Sequence, residues 1–97
     1  MKAVKRVEFV VDAMALEDVL ASLSEININA YTIIRDASGR GERGLRGGDI
    51  FGGTFDNSYV LIACSDDESK QIVEILRPLL KRLGGMCMVS DAQWVLH

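Results

Sequence analysis

Residues 37–57 run for 21 positions with neither helical nor strand periodicity, and whatever this chain folds into has to close around that interruption. Seven of its nine glycines fall between Gly39 and Gly53, and Arg40, Arg43 and Arg46 stand among them. Glycine allows the backbone to approach a ligand closely, and arginine presents a planar, permanently charged fork that suits phosphates and carboxylates. Connections beyond about 12–15 residues in small domains are usually functional or disordered. Ordering each backbone residue costs about 1–2 kcal/mol, and the few large apolar side chains, among them Ile50, Phe51 and Phe55, offer little in return. The segment is therefore expected to be flexible when free and to become ordered around an anion or a partner.

The flanks supply a compact frame. Ala3–Val11 is β-branched and roughly alternating, which predicts a strand. Asp12 is the expected helix start, because Leu16, Val19, Leu20 and Leu23 then fall at i, i+3, i+4 and i+7. Asn27 and Asn29 end that helix, and Ala30–Arg35 reads as a second strand. Beyond the loop, Ser58–Cys64 is apolar enough for a central strand. Ser65 and Glu68 form a capping-box pattern ahead of an apolar stripe from Ile72 to Leu83. Pro78 inside that stripe predicts a kink or a break near Glu74–Arg77. Gly84 and Gly85 close the helix, Met86–Ser90 is a fourth strand, and Gln93–Leu96 a short fifth.

The 97 residues thus form a single domain of βαββαβ order. The expected fold is α+β and ferredoxin-like: a four-stranded antiparallel sheet with two helices on one face. Positions such as Val7, Ile33, Tyr59 and Leu61 would leave the other face apolar, so it is expected to be covered by further subunits.

Composition narrows the function. A net charge of −3 and a pI near 5.0 argue against a nucleic-acid or membrane-surface binder, since the positive charge is confined to the loop. No run approaches the roughly 20 apolar residues of a membrane span. Cys64 and Cys87 lie in strand-like runs without metal spacing and read as reduced thiols of a cytoplasmic protein. With His97 as the sole histidine, neither a metal site nor a histidine-based catalytic triad is expected. Gly39–Gly44 formally matches G-x-G-x-x-G, but it lies between two strands where a dinucleotide fold needs a strand followed by a helix.

Leu16-Glu17-Asp18-Val19, Leu23-Ser24-Glu25-Ile26, Tyr31-Thr32-Ile33 and the Gly-Arg loop together resemble the PII signalling family over nearly the whole chain. The long interruption sits where that family carries its T-loop, between strands two and three. Within the family the loop is similar to that of SbtB and the carboxysome-associated PII-like proteins. Their Gly-basic-Gly-x-Arg-x-aliphatic-Arg pattern is met in register by Gly39, Arg40, Gly41, Arg43, Leu45 and Arg46.

The resemblance implies a homotrimeric, non-enzymatic regulator that binds an adenine nucleotide in clefts between subunits. The nucleotide-binding residues it implies are Thr32, Gly39, Arg40, Gly41, Arg43, Arg46, Gly84, Gly85 and Met86. It also implies bicarbonate as a second anion, held by Arg43, Arg46, Gly47 and Gly48, and a partner among bicarbonate transporters or carboxysome-related proteins. Signalling PII proteins have a phosphate-binding lysine where this chain has Met86, which favours ADP or AMP over ATP. The rival architectures of this size are a trimeric metal-tolerance protein of the CutA type and an ACT-like small-molecule module.

Overall fold

The computed structural model describes residues 1–41, 44–45 and 57–97, and of 40–41 and 44–45 the backbone alone. Strand β1 (Lys2–Asp12) is followed by a 3₁₀ turn (Ala13–Ala15) and helix α1 (Leu16–Glu25). Next come β2 (Thr32–Ala37), β3 (Arg40–Gly41), β4 (Gly44–Leu45) and β5 (Asn57–Cys64), then helix α2 (Asp66–Leu83) and β6 (Met86–Trp94). The main sheet has the order β2-β5-β1-β6 and every neighbouring pair is antiparallel, as the ferredoxin-like reading requires.

Alternation along β1 decides which face becomes the core. Val7, Phe9 and Val11 are buried, while Arg6 is exposed and Glu8 and Val10 are half-buried. The register places Val7 opposite Ile62 and Phe9 opposite Val60, so β5 presents its own buried set to the same side. Leu16, Val19 and Leu23 of α1 and Ile72 and Leu76 of α2 complete one cluster. Removing a side chain such as Phe9 from that cluster would cost about 3–5 kcal/mol.

Local signals set the helix ends. Asp12 accepts a hydrogen bond from the Met14 N–H at 2.8 Å and so opens the 3₁₀ turn ahead of α1. At the other end Asn27 takes φ 63°, its N–H donates to Ser24 O at 3.0 Å, and the Ile28 N–H donates to Leu23 O at 2.9 Å. That is a Schellman closure, with Ile28 buried in the core that holds Leu23. The capping box forms as expected: the Glu68 N–H donates to Ser65 Oγ at 3.1 Å and the Ser65 N–H to Glu68 Oε1 at 2.9 Å.

Four expectations are corrected. Helix α2 is not broken near Glu74–Arg77 but continues as one element through Pro78. The proline is exposed, so its ring and its missing N–H fall on the solvent side, while Ile72 and Leu76 hold the buried stripe. Residues 93–96 form no separate strand: β6 runs unbroken to Trp94, because Ala3 and Lys2 of β1 continue to pair with Gln93 and Trp94. Inside the long connection β3 and β4 pair, Arg40 with Leu45 and Gly41 with Gly44. Two residues per strand are too few for alternation to show in a sequence. Finally, Val7 and Ile33 belong to the helix-covered side. The open face instead carries the cross-strand rows Ile34–Tyr59–Val10–Met86 and Thr32–Leu61–Glu8–Met88.

Candidate functional site

The two ends of the long connection and the turn after α2 meet at one end of the sheet. Ala37, the last residue of β2, is opposite Asn57, the first of β5, and Asn57 is opposite Asp12 of β1. On the far side of β1, Val10 faces Met86, directly after Gly84 and Gly85. A register shift between Ile34 and Ala37, with Asp36 at φ 59°, ends the regular pairing of β2 as it enters the loop.

The Gly84–Gly85 turn needs glycine twice. Gly84 has φ 80° and its N–H donates to Leu80 O at 2.8 Å, which closes α2. Gly85 has φ 117°, and a Cβ there would lie 2.4 Å from the Val10 carbonyl oxygen. The backbone at this turn is thus pressed against β1. Met86 follows on the open face and is 43% exposed.

Other expected site residues are placed differently. Thr32 is exposed on the β2 edge strand, opposite Leu61. Three strand spacings, about 14 Å, separate that edge from β6 and the Gly84–Gly85 turn. One chain does not bring Thr32 and Gly85 together. Gly39 is exposed, with open space where a Cβ would stand. Arg40 and Gly41 are placed as backbone in β3, and Arg43, Arg46, Gly47 and Gly48 lie outside the described residues.

Sequence reasoning missed Asn57. It is 2% exposed, and its Oδ1 has no hydrogen-bond partner among the described residues. The available signal was an asparagine, a residue depleted in strands, opening an apolar strand directly after the loop. Ser58 Oγ is equally buried and unpartnered, but it belongs to the helix-covered side of the sheet.

The open face also holds a polar centre. Tyr59 donates its hydroxyl to Glu8 Oε2 at 2.6 Å, and Arg6 Nε lies 3.1 Å from Glu8 Oε1 and 3.2 Å from Ser90 Oγ. The hydrogen bond to Glu8, followed by desolvation, raises the Tyr59 pKa above its ordinary value. Burial raises both thiols: Cys64, with the Glu68 charge adding to it, and Cys87 by burial alone. Both cysteines are free, and burial disfavours their thiolate forms.

A shallow groove of about 440 Å³, lined by Lys2, Ser65, Asp66, Glu68 and Trp94 among others, lies at the opposite end of the sheet. It is remote from the residues that the loop and the glycine turn bring together, and its size alone gives it no claim to be the site. Among the described residues no group of three His, Cys, Asp or Glu side chains is placed to hold a metal ion, and no helix is long and apolar enough to cross a membrane.

The sequence model of the family described as nitrogen regulatory protein P-II matches residues 4–96. No curated protein sequence matches the chain. Among solved structures, it is similar to CPII, a nitrogen regulatory PII-like protein from Thiomonas intermedia K12. The form bound to ADP, AMP and bicarbonate superposes with a TM-score of 0.81 at 22% identity, covering 95% of this chain and 88% of that one. The form bound to ADP and bicarbonate gives 0.80 at 21% identity, with the same 95% and 88% coverage. The apo form gives 0.77 at 17% identity over 95% and 91%. At these identities the likeness is one of fold.

Proposed function

Because the chain belongs to the nitrogen regulatory protein P-II family, we propose that this regulatory protein works as a homotrimeric sensor of ADP or AMP, without catalysis. The observation that carries the reading is the meeting of the glycine turn and both loop stalks at one sheet end, with Thr32 held on the opposite edge strand. A nucleotide seated between two protomers would touch Gly84, Gly85 and Met86 of one and Thr32 of the next. The backbone at Gly39 and Gly41 would line the cleft, and Arg40, Arg43 and Arg46 would close on the phosphates. The open face, with Ile34, Met86 and Met88 exposed around Glu8, supplies the surface for a second and third copy.

Bicarbonate is the proposed second ligand, placed beside the phosphates by Arg43, Arg46 and the amides of Gly47 and Gly48. CPII, which shares the fold, has been solved with ADP and bicarbonate bound. The arginine spacing in the loop supports membership of the SbtB and carboxysome-associated branch, a transporter or carboxysome-related partner, and a cytoplasmic site of action. The partner would read loop shape, and the nucleotide shifts that shape only by its differential affinity for the two loop states.

Calorimetry with ADP, with and without bicarbonate, tests the reading together with the mass in solution. Arg43→Ala and Arg46→Ala should each weaken ADP roughly tenfold or more, since a charge-assisted hydrogen bond contributes about 1.5–3 kcal/mol. Unchanged affinity in both variants, or a monomer in solution, would sink it.

A further inference from the structure

The open face of the sheet has an apolar rim and a polar centre. Ile34 on β2 and Met86, Met88 and Trp94 on β6 are all exposed, and the register puts them on the side away from the helices. Between these two edge strands, Tyr59 of β5 donates to Glu8 Oε2, Arg6 Nε lies 3.1 Å from Glu8 Oε1, and the same Nε–H donates to Ser90 Oγ of β6. One network thus ties three strands together across the middle of the face. The Glu8 side chain is already 20% exposed in the single chain, whereas that of Arg6 is 52% exposed. A guanidinium has five N–H donors, and both of these contacts use the one on Nε.

Covering such a face with a purely apolar surface would strip water from Arg6 and Glu8 and give nothing back, which is costly. A partner recruited by charge would need an excess of one sign, and here the two charges cancel. A second copy of the same face meets both demands, setting apolar rim against apolar rim and polar centre against polar centre. We infer that the Arg6–Glu8–Tyr59 network sets the register in which copies of this chain assemble. It admits a neighbouring face only where the remaining Arg6 donors meet an acceptor of that copy. Slipped or inverted packings, which would lay a charge against Met86 or Met88, are rejected. Buried ion pairs add little net affinity over apolar residues of the same volume, and fixing register is their best-attested use. The inference rests on the proposed oligomer, but it assigns the geometry of assembly to these polar side chains and leaves the affinity to the apolar rim.

The test compares the full wild-type chain with Arg6→Met, Glu8→Gln, their double variant and the apolar triple variant Arg6→Met/Glu8→Leu/Tyr59→Phe. Mass in solution is followed over a dilution series and by native mass spectrometry, with circular dichroism as the control for folding. Each single variant strands a charge on the covered face and should raise the concentration of half-dissociation roughly tenfold or more. The double variant has no lone charge and should be no weaker than either single one. The triple variant should stay associated but lose the single oligomer mass of the wild type, spreading over several stoichiometries. One check needs no variant. Phenylglyoxal, which modifies guanidinium groups, should label Arg6 of the wild type several-fold more slowly in the assembled protein than after dilution to the monomer, as read by peptide mass spectrometry. The inference is overturned by single variants that assemble like the wild type, by a triple variant that is monomeric or keeps one unchanged mass, or by equal labelling of Arg6 at both concentrations. A wild type that is monomeric at every concentration would overturn the oligomeric reading itself, and the inference with it.

Discussion

Gly85 stands so close to Val10 that no side chain fits between them: a Cβ on the glycine would come within 2.4 Å of the Val10 carbonyl oxygen and 3.0 Å of Leu80 Cδ2. A carbonyl in a paired strand cannot move aside cheaply, and φ 117° already disfavours any L side chain. Gly85→Ala is expected to destabilise the fold by about 2 kcal/mol or more in urea titration. Gly39→Ala provides the contrast, since nothing stands within 4 Å of the added carbon. Its stability should change by less than about 1 kcal/mol, so any loss of nucleotide affinity in that variant would report ligand approach alone.

Met86 follows the turn, half-exposed and opposite Val10. Restoring a cation there, Met86→Lys, should strengthen ATP binding roughly tenfold relative to AMP, the worth of one charge-assisted contact. The check is the ratio of the two affinities. An unchanged ratio would show that this position does not reach the outer phosphates.

Pro78 lies on the exposed side of an unbroken α2. It removes the hydrogen bond that the Glu74 carbonyl would otherwise accept, and nothing buried depends on its ring. Pro78→Ala is therefore expected to stabilise the protein by about 1–3 kcal/mol, read as a rise in the thermal midpoint. A lower midpoint would mean that the ring helps to set the path of the chain toward Gly84.

Tyr59 and Glu8 give a pH-dependent signature. The hydrogen bond to Glu8 raises the tyrosine pKa in the folded state from its ordinary 10.0. The unfolded chain therefore loses its phenolic proton first. The stabilisation is complete below pH 10.0 and is lost as the pH climbs through the raised value. Tyr59→Phe should be about 1 kcal/mol less stable at neutral pH, and the gap to the wild type should close in alkali. Lys5, raised by its hydrogen bond to Asp91, titrates in the same range but is common to both proteins and cancels in the comparison.

The order of strands and helices, the capping box at Ser65 and the stop at Gly84 were legible from residue spacing, because each depends on side chains within a few positions of one another. The glycine and arginine run pointed to an anion-binding loop through composition alone, and most of that run lies outside the described residues. Other features depended on register. Val7 and Ile33 look no different in sequence from Val10 and Ile34, yet antiparallel pairing sends the first two into the core and the others to the open face. The separation of Thr32 from Gly85 follows from strand order, and the isolation of Asn57 from its cross-strand neighbours. Spacing along a chain encodes local periodicity, whereas the face a residue occupies and the partner it lacks are set by pairings between residues 20 (Ala37 with Asn57) to 92 (Lys2 with Trp94) positions apart, which only the folded sheet brings together.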